Sequence, residues 1–564
     1  MKTFRPKLLD TMRGYTKSKL INDIVAGLIV AIIALPLSIA LAIASEVPPA
    51  MGICTAIIAG FVIALFGGSS VNISGPTAAF ATIVAGIVIS HGISGLIVAT
   101  VMAGIILILM GICHFGSLIK YIPTTITVGF TSGIAVTICI GQIKDFLGLE
   151  YSVSETPIET PEKLHAIFTS SSMSPSALLL GAIGLAILIL WPMLGRARLG
   201  KFSLICSKIP ASIIAVAVGI LIVTLTPLDV KTIGSSNYDL SSSFKIASFE
   251  GITLDTVLDL IPSAFTIAIL AAIESLLSCV VSDGMIGDRH NSNTELIAQG
   301  MGNVCSALFG GIPATGAIAR TAANVKNGGR SPIAGITHAL VLLIFLLFLM
   351  PVVGLIPMPI IAAILIMVAY NMSEWRHFVH ICRHSPRSDV LVLVLTFALT
   401  VIFDLVVAIA VGFVLTTVLF MKKMSDVASV RRWDGSEEST DGHKKPIPEG
   451  TVVYELDGPM FFADADKLRD LAIDDGARVI IVRMSKVPSI DTSAIQNLEI
   501  LLYTCSSKGV SLILSHTNES PMSTIKKSGL YEKIGEENFA ASIDEALLLA
   551  EKICSQKEEK SAVL

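Results

Sequence analysis

Charge is what this sequence has least of. Asp, Glu, Lys and Arg make up 15% of its 564 residues, against ~25% in an ordinary soluble protein. With 53% of residues hydrophobic, the long apolar runs need lipid. The formal net charge of −4 gives no basis for a nucleic-acid partner. Cysteines are few and stand singly, with no CxxC pair, so neither a zinc site nor a disulfide framework is written here. The histidines, among them His114, His338, His377, His380 and His384, lack HExxH or other metal spacing. There is no P-loop and no GxSxG, which excludes ATP-driven transport and membrane-embedded hydrolysis by those devices. The chain reads as no enzyme, with no metal and no cofactor.

What is present is a succession of apolar stretches. Each span needs ~20 apolar residues. Fourteen are expected, near 24–44, 50–67, 76–90, 95–114, 124–142, 176–195, 210–226, 257–282, 295–310, 316–326, 332–350, 352–370, 388–403 and 405–421. Residues 1–22 form a basic N-terminal flank, and no small-residue cleavage site follows the first apolar run, so that run is read as a retained span. Basic residues mark the loops after spans six (Arg196, Arg198, Lys201, Lys208), ten (Lys326, Arg330) and twelve (Arg376, Arg383, Arg387). The loop after span five carries Glu150, Glu155, Glu159 and Glu162 against Lys163. By the positive-inside rule both termini face the cytoplasm. Asp404, between the last two spans, reads as a turn residue.

Two stretches are not written as continuous helices. Ser306–Val325 carries Gly310, Gly311, Pro313 and Gly316, with Arg320 beyond them. Val71–Val84 carries Ser74, Gly75 and Pro76 ahead of Thr77, Ala78, Ala79 and Phe80. Gly and Pro favour a short extended piece. Thr77 and Thr315 are then placed to cap half-helices, or to offer a hydroxyl to a ligand. Half-helix N-termini suit anions, and broken helices at matching places in two halves point to a transporter's substrate site. These two fall at spans three and ten. Seven spans per copy is an odd number, so the second copy is inverted.

Four sets of side chains are candidates. Glu274 lies mid-span, where a charge costs ~2.5–3.5 kcal/mol on insertion scales and is a functional candidate by default. It reads as the coupling-ion position, holding a proton as the neutral acid or Na⁺ as the carboxylate, with Ser278 one turn on adding an oxygen. The plain alternative is an interhelical hydrogen bond. Arg320 adds positive charge beside the pocket, or pairs structurally with an acid such as Glu274. Thr77, Ala78, Ala79 and Phe80 line one side of the expected anion site, with Phe80 as a wall or as packing. Ala314, Thr315, Gly316 and Ala317 line the other.

After a transporter region at 23–424 comes a polar linker at 425–450, then a soluble α/β pattern at 451–555 and a frayed tail at 556–564. VVYELDG, ARVIIVRMS and VSLILSH read as buried strands. Three helical stretches alternate with them. Ser489–Asp491–Thr492–Ser493 reads as a helix cap.

Taken together, SGPTAAF at 74–80, FTSGIAVTI at 130–138, QIKDFLGL at 142–149, AIESLL at 272–277, AQGMGN at 298–303 and FGGIPATGAIARTAANV at 309–325 resemble the SulP anion transporters. The C-terminal part resembles their STAS domain. Within the family the likeness is greatest to enterobacterial proton-coupled C4-dicarboxylate transporters. The resemblance implies an α-helical polytopic membrane fold, seven plus seven spans of the uracil-permease type. It divides them into a core domain (spans 1–4 and 8–11) and a gate domain (5–7 and 12–14), and adds a cytosolic STAS domain. It further implies a homodimer in the bacterial inner membrane working as an elevator, and a cytosolic protein partner for the STAS domain. Its anion pocket falls between Thr77–Phe80 and Ala314–Ala317, with Glu274 as coupling position and Arg320 as the basic position. Sodium–bicarbonate members place an aspartate at the acid position and lack the arginine, which favours H⁺ over Na⁺. Sulfate and bicarbonate are the rival substrates. A membrane-tethered STAS signalling module is the rival of another class.

Overall fold

In lipid every backbone N–H and C=O must be satisfied within the chain, and an apolar segment does this as a helix. The computed structural model describes residues 4–117, 123–150, 160–170, 173–196, 209–236, 246–247, 252–403, 405–435, 445–461, 471 and 476–563. Asp404, Glu155, Glu159, Arg198, Lys201, Lys208 and linker residues 436–444 lie outside the described residues. Two units are distinct, Met1–Phe413 and Val414–Leu564.

All fourteen expected stretches hold a helix. A short N-terminal helix α1 (Lys7–Thr11) precedes α2 (Lys17–Ala44), α3 (Pro49–Phe66) and α4 (Ala81–Ile112). These are followed by α5 (Thr124–Leu147), α6 (Thr160–Thr169), α7 (Pro175–Arg196) and α8 (Ala211–Leu225). The second half has α9 (Leu254–Asp259), α10 (Ile261–Ile286), α11 (Ser292–Leu308), α12 (Ile318–Lys326) and α13 (Ile333–Val353). Then come α14 (Met358–Met372), α15 (Trp375–His384), α16 (Arg387–Ile402) and α17 (Leu405–Val427). Gly92, at φ 66° and ψ −172°, breaks α4 into two helices, as the separate spans 76–90 and 95–114 anticipate. Among the described residues nine helices are long and apolar enough to cross a membrane by length and composition. The first spanning helix, α2, begins at Lys17 rather than near residue 24, capped by the Thr16 hydroxyl.

Helix packing divides the first unit. In one group α4 packs on α10 and α11, α3 on α11 and α13, and α2 on α3, α12 and α13; in the other α5 packs on α14 and α16, and α7 on α8 and α14. These groups match the expected core and gate sets. Glycines permit close approach between the helices of the first group. A Cβ built on Gly104 would lie 2.7 Å from the Gly300 carbonyl, and one on Gly300 2.4 Å from the Gly104 carbonyl, so α4 and α11 touch backbone to backbone. Small residues serve this purpose where no hydrophobic effect acts between helices.

At the middle of the core group two broken segments meet. Strand β1 (Ser74–Gly75) pairs antiparallel with β2 (Thr315–Gly316), Ser74 opposite Gly316 and Gly75 opposite Thr315. β1 leads through a 3-10 turn at Ala78–Phe80 into α4, and β2 leads through Ala317 into α12.

The second unit is a five-stranded sheet in the order β3-β4-β5-β6-β7, made of β3 (Ser429–Arg432), β4 (Thr451–Asp457), β5 (Val479–Lys486), β6 (Ser511–Ser515) and β7 (Phe539–Ala540). β3 is antiparallel to β4 and the other pairs are parallel. Helix α18 (Thr492–Ser507) packs its Ile495, Leu498 and Leu501 in one core with Val452, Ile480 and Leu512; after α19 (Glu519–Lys527) and α20 (Leu530–Ile534), α21 (Ile543–Val563) packs its Ala546 and Ala550 in another with Val453, Ile481 and Ile513. This alternation along each strand is the period of two that buries both faces. Asp491 caps α18, accepting from Ala494 N–H at 2.9 Å.

Two boundaries are corrected. Residues 429–432, assigned to the linker, form a strand, because the edge of β4 is open to antiparallel pairing. The tail is not frayed: α21 continues as helix to Val563.

Candidate functional site

The antiparallel pairing decides where everything else falls. Because β1 and β2 run in opposite directions, the turn that starts α4 leaves beside Thr315, and α12 leaves beside Ser74. The first N–H groups of each helix have no partner within it. Two amide clusters therefore flank one crossing in the core.

Helix α10 runs past this crossing and presents successive side chains to it. Glu274 accepts a hydrogen bond from the Thr77 hydroxyl at 3.0 Å. Next to it, the Gly316 N–H donates to the Ser275 hydroxyl at 2.9 Å, which lies 2.7 Å from the Thr315 hydroxyl, itself donating to the Ala271 carbonyl at 3.0 Å. One turn on, Ser278 donates to Asn72 Oδ1 at 2.8 Å and lies 3.2 Å from the Thr321 hydroxyl.

Arg320 is 2% exposed. Its side chain runs back under β1: a Cβ on Gly75 would lie 2.5 Å from Nη1. Nη2 donates to the Pro76 carbonyl at 3.1 Å and reaches the Ser38 hydroxyl at 3.4 Å. Nη1 is buried with no protein partner. Among the described residues no carboxylate pairs with it. A guanidinium out of water with an unsatisfied nitrogen is costly unless water or something negative reaches it.

These contacts revise the roles given to several residues. Neither threonine caps a helix. Thr77 gives its hydroxyl to Glu274, and Thr315, held extended by β1, gives its own to α10. Helix α12 starts at Ile318, with Ala317 as its cap, rather than near Gly316. The N–H groups of Ala314, Gly316 and Ala317 are already engaged, by Asn303 Oδ1 at 2.8 Å, Ser275 Oγ at 2.9 Å and the Ile73 carbonyl at 2.9 Å. Free donors on that side thus begin in the first turn of α12, where Ile318 and Ala319 are exposed. Ser278 is not brought to Glu274, although both lie on α10; Asn72 and Thr321 take it instead. Arg320 does not pair with Glu274. Ala78, Ala79 and Phe80 form the turn at the start of α4 and are buried. In the first span, Ser38 supplies a polar contact to Arg320 Nη2.

Behind the crossing stands a polar scaffold that the sequence reading did not single out. Glu295 accepts from Gly68 N–H at 2.8 Å, Ser69 N–H at 3.2 Å, Asn72 Nδ2 at 2.8 Å and Gln299 Nε2 at 3.0 Å. Asn303 both donates to and accepts from Ala314. Thr55 accepts from Ile312 N–H at 2.7 Å. Glu295, Gln299 and Asn303 recur every four residues, a polar stripe on a helix read as a span, and that spacing is the signal that could have found them.

The sequence pattern of the sulfate permease family matches residues 20–396, and that of the STAS domain matches 444–546. The chain belongs to the sulfate permease family. It is 36% identical over 542 residues to the Bacillus subtilis "Putative sulfate transporter YvdB", covering 94% of this chain and 98% of that one. It is 29% identical to the bicarbonate transporter BicA of Picosynechococcus, over 93% and 94% of the two chains. The transmembrane domain of a cyanobacterial BicA superposes with a TM-score of 0.61 at 27% identity, covering 72% of this chain and 98% of that one. Murine Slc26a9 in the inward-facing state shares the fold, with a TM-score of 0.86 at 19% identity over 97% and 94% of the chains. This sulfate permease family chain is therefore a multi-pass membrane anion transporter with a C-terminal STAS domain, and not an enzyme.

Proposed function

We propose that the chain carries a small anion into the cell together with a proton, with the anion held at the β1–β2 crossing. One observation carries this reading. A carboxyl, Glu274, and an incompletely paired guanidinium, Arg320, reach the two half-helix starts from different elements of one packed group. The anion would meet the N–H groups at the starts of α4 and α12 and the field of Arg320. Glu274 would hold the proton as the neutral acid, with Thr77 sensing its state through their shared hydrogen bond. Occupancy would favour sliding of the core group against the gate group, in a homodimer of the inner membrane with both termini cytoplasmic.

C4-dicarboxylates such as succinate, fumarate or aspartate are the proposed substrates, supported by the motif likeness around 272–277 and 316–325. Sulfate or bicarbonate is the second reading, favoured by what the relatives named above are said to carry. Proteoliposomes loaded with the purified chain decide between them, using labelled succinate, sulfate and bicarbonate with and without H⁺ or Na⁺ gradients. Concentrative succinate uptake driven by an inward H⁺ gradient is expected. Uptake of sulfate alone would replace the dicarboxylate reading, and uptake driven only by Na⁺ would remove the proton.

A further inference from the structure

Helix α15, WRHFVHICRH, links two apolar helices and is unlike either. Its inward side is apolar: Ile381 is buried with Val128 of α5 and Leu393 of α16, with Phe378 and Cys382 packed beside them. Its other side is a single stripe of exposed basic-type residues. Arg376, His377, His380, Arg383 and His384 follow a helical spacing of 1, 3, 3 and 1, and Arg387, at the start of α16, continues it. All six are exposed. Acidic relief is slight. Glu374 is 3.5 Å from His377, and Asp389 is held by the Ser388 hydroxyl. His380 and His384 stack on one another at 4.5 Å, and no metal-holding cluster occurs among the described residues.

The depth of this helix is fixed by its neighbours. Two residues join it to α14 and two join it to α16, both read as spanning helices, so it cannot leave the membrane–water boundary. The turn into it is anchored by the Ser132 hydroxyl, which donates to the Ser373 carbonyl at 2.6 Å. Tyr370 and Trp375, 55% and 47% exposed, touch through their polar ends at 3.4 Å and mark an interfacial aromatic pair. The Arg376 guanidinium lies 5.5 Å from the Trp375 ring centroid. A basic helix face at headgroup level, beside aromatics, attracts negative lipid.

We propose that the outward face of α15 is a docking site for the phosphate headgroups of anionic phospholipids, with Arg376, Arg383 and Arg387 as its charged contacts. Bound lipid would hold the α14–α16 pair, and through Ser373 also α5, at a fixed depth. None of the three arginines belongs to the transport site, so the surface acts on the frame in which the gate group stands.

The test uses the purified full-length chain in detergent, with phosphatidylglycerol or phosphatidylcholine added and retained lipid counted by native mass spectrometry. Wild type should retain phosphatidylglycerol at least tenfold over phosphatidylcholine and melt several degrees higher with it. The triple variant Arg376→Gln, Arg383→Gln, Arg387→Gln should lose both effects, and the triple Lys variant should keep most of them. All three positions are exposed, so folding is preserved, which a lipid-free melting curve checks. Equal retention by wild type and the Gln variant would overturn the proposal. So would an equal melting shift from free glycerol phosphate, which would make this a soluble-phosphate site. A photo-crosslinker in place of His380 should capture lipid in membranes; capture of the STAS domain instead would show a protein interface and overturn it.

Discussion

Gly75→Ala is a one-atom probe of how Arg320 is held. The added Cβ would stand 2.5 Å from Arg320 Nη1, with Ala56 Cα and Cβ at 3.5 Å leaving no room on the other side. Ordinary contact begins near 3.4 Å, so the guanidinium must retreat by about 0.9 Å. Its bond to the Pro76 carbonyl, now 3.1 Å, would stretch to about 4 Å and be lost. A hydrogen bond to a charged group contributes ~1.5–3 kcal/mol. If Arg320 faces the anion, affinity should fall by roughly ten- to a hundredfold, since each 1.4 kcal/mol is a factor of ten. Titration of the purified chain with sulfate and with succinate reads the change in Kd, and thermal melting reads the cost without ligand. The decisive comparison is a double-mutant cycle. In an Arg320→Ala background the methyl group has nothing to displace, so Gly75→Ala should cost close to nothing there. If the substitution costs as much without the arginine as with it, the wedge argument is wrong; if Kd is unmoved by either change, Arg320 is not at the site.

Three further outcomes are expected. Glu274→Gln should abolish H⁺-driven accumulation in proteoliposomes while sparing anion exchange, whereas Ser278→Ala, which touches Asn72 rather than Glu274, should leave proton dependence intact; identical behaviour of the two would remove Glu274 from coupling. Glu295→Gln leaves two of the four donors facing an amide NH2 instead of an oxygen and should lower stability by ~3 kcal/mol, read by melting in detergent. Outside the spans, burial alone would raise Asp288, but the Ser70 hydroxyl, the Lys7 ammonium and the Arg289 N–H outweigh it and hold its carboxyl below 3.8. A depressed carboxylate gives stability that is present above 3.8 and lost as pH falls through its folded value, so Asp288→Asn should flatten the acid limb of the melting profile, and an unchanged limb would count against the tie.

The helices were legible because lipid leaves a long apolar run no other structure. The two breaks were legible because Gly75, Pro76, Pro313 and Gly316 cannot be explained inside a span. Their partners were harder to see. Glu274 stood out as an acid in an apolar context, but nothing in its own helix said that Thr77, across 197 positions, would reach it. Ser278 misled for the same reason. Its spacing from Glu274 fixes a helix face, and a face does not say which neighbour arrives first; Asn72 did. Local sequence suggests local bonds, which makes caps of the threonines, whereas Thr315 is paired in β2 and Thr77 is extended just beyond β1, and both hydroxyls turn to α10. Strand β3 was hidden in a charged stretch because an edge strand has an exposed side and need not look apolar.

The missed scaffold explains why the crossing can exist at all. Extended backbone in the membrane interior is tolerated only when protein satisfies it. Here each lead-in to a half-helix has its own clamp on α11. Glu295 gathers the backbone of 68–69 and the Asn72 amide, and Asn303 closes a two-bond ring on Ala314. Thr55 and Ser306 fix Ile312 from two sides, and Asn324 takes the Val71 carbonyl. Some buried polar atoms there stay without a partner, namely Gln299 Oε1, Asn324 Oδ1, both ring nitrogens of His338 and Arg320 Nη1, and of these only Arg320 carries a fixed positive charge. A buried guanidinium with an unmet donor is costly unless water or an anion reaches it, so the Kd of the Arg320→Ala variant is the measurement that ties this scaffold to the proposed substrate.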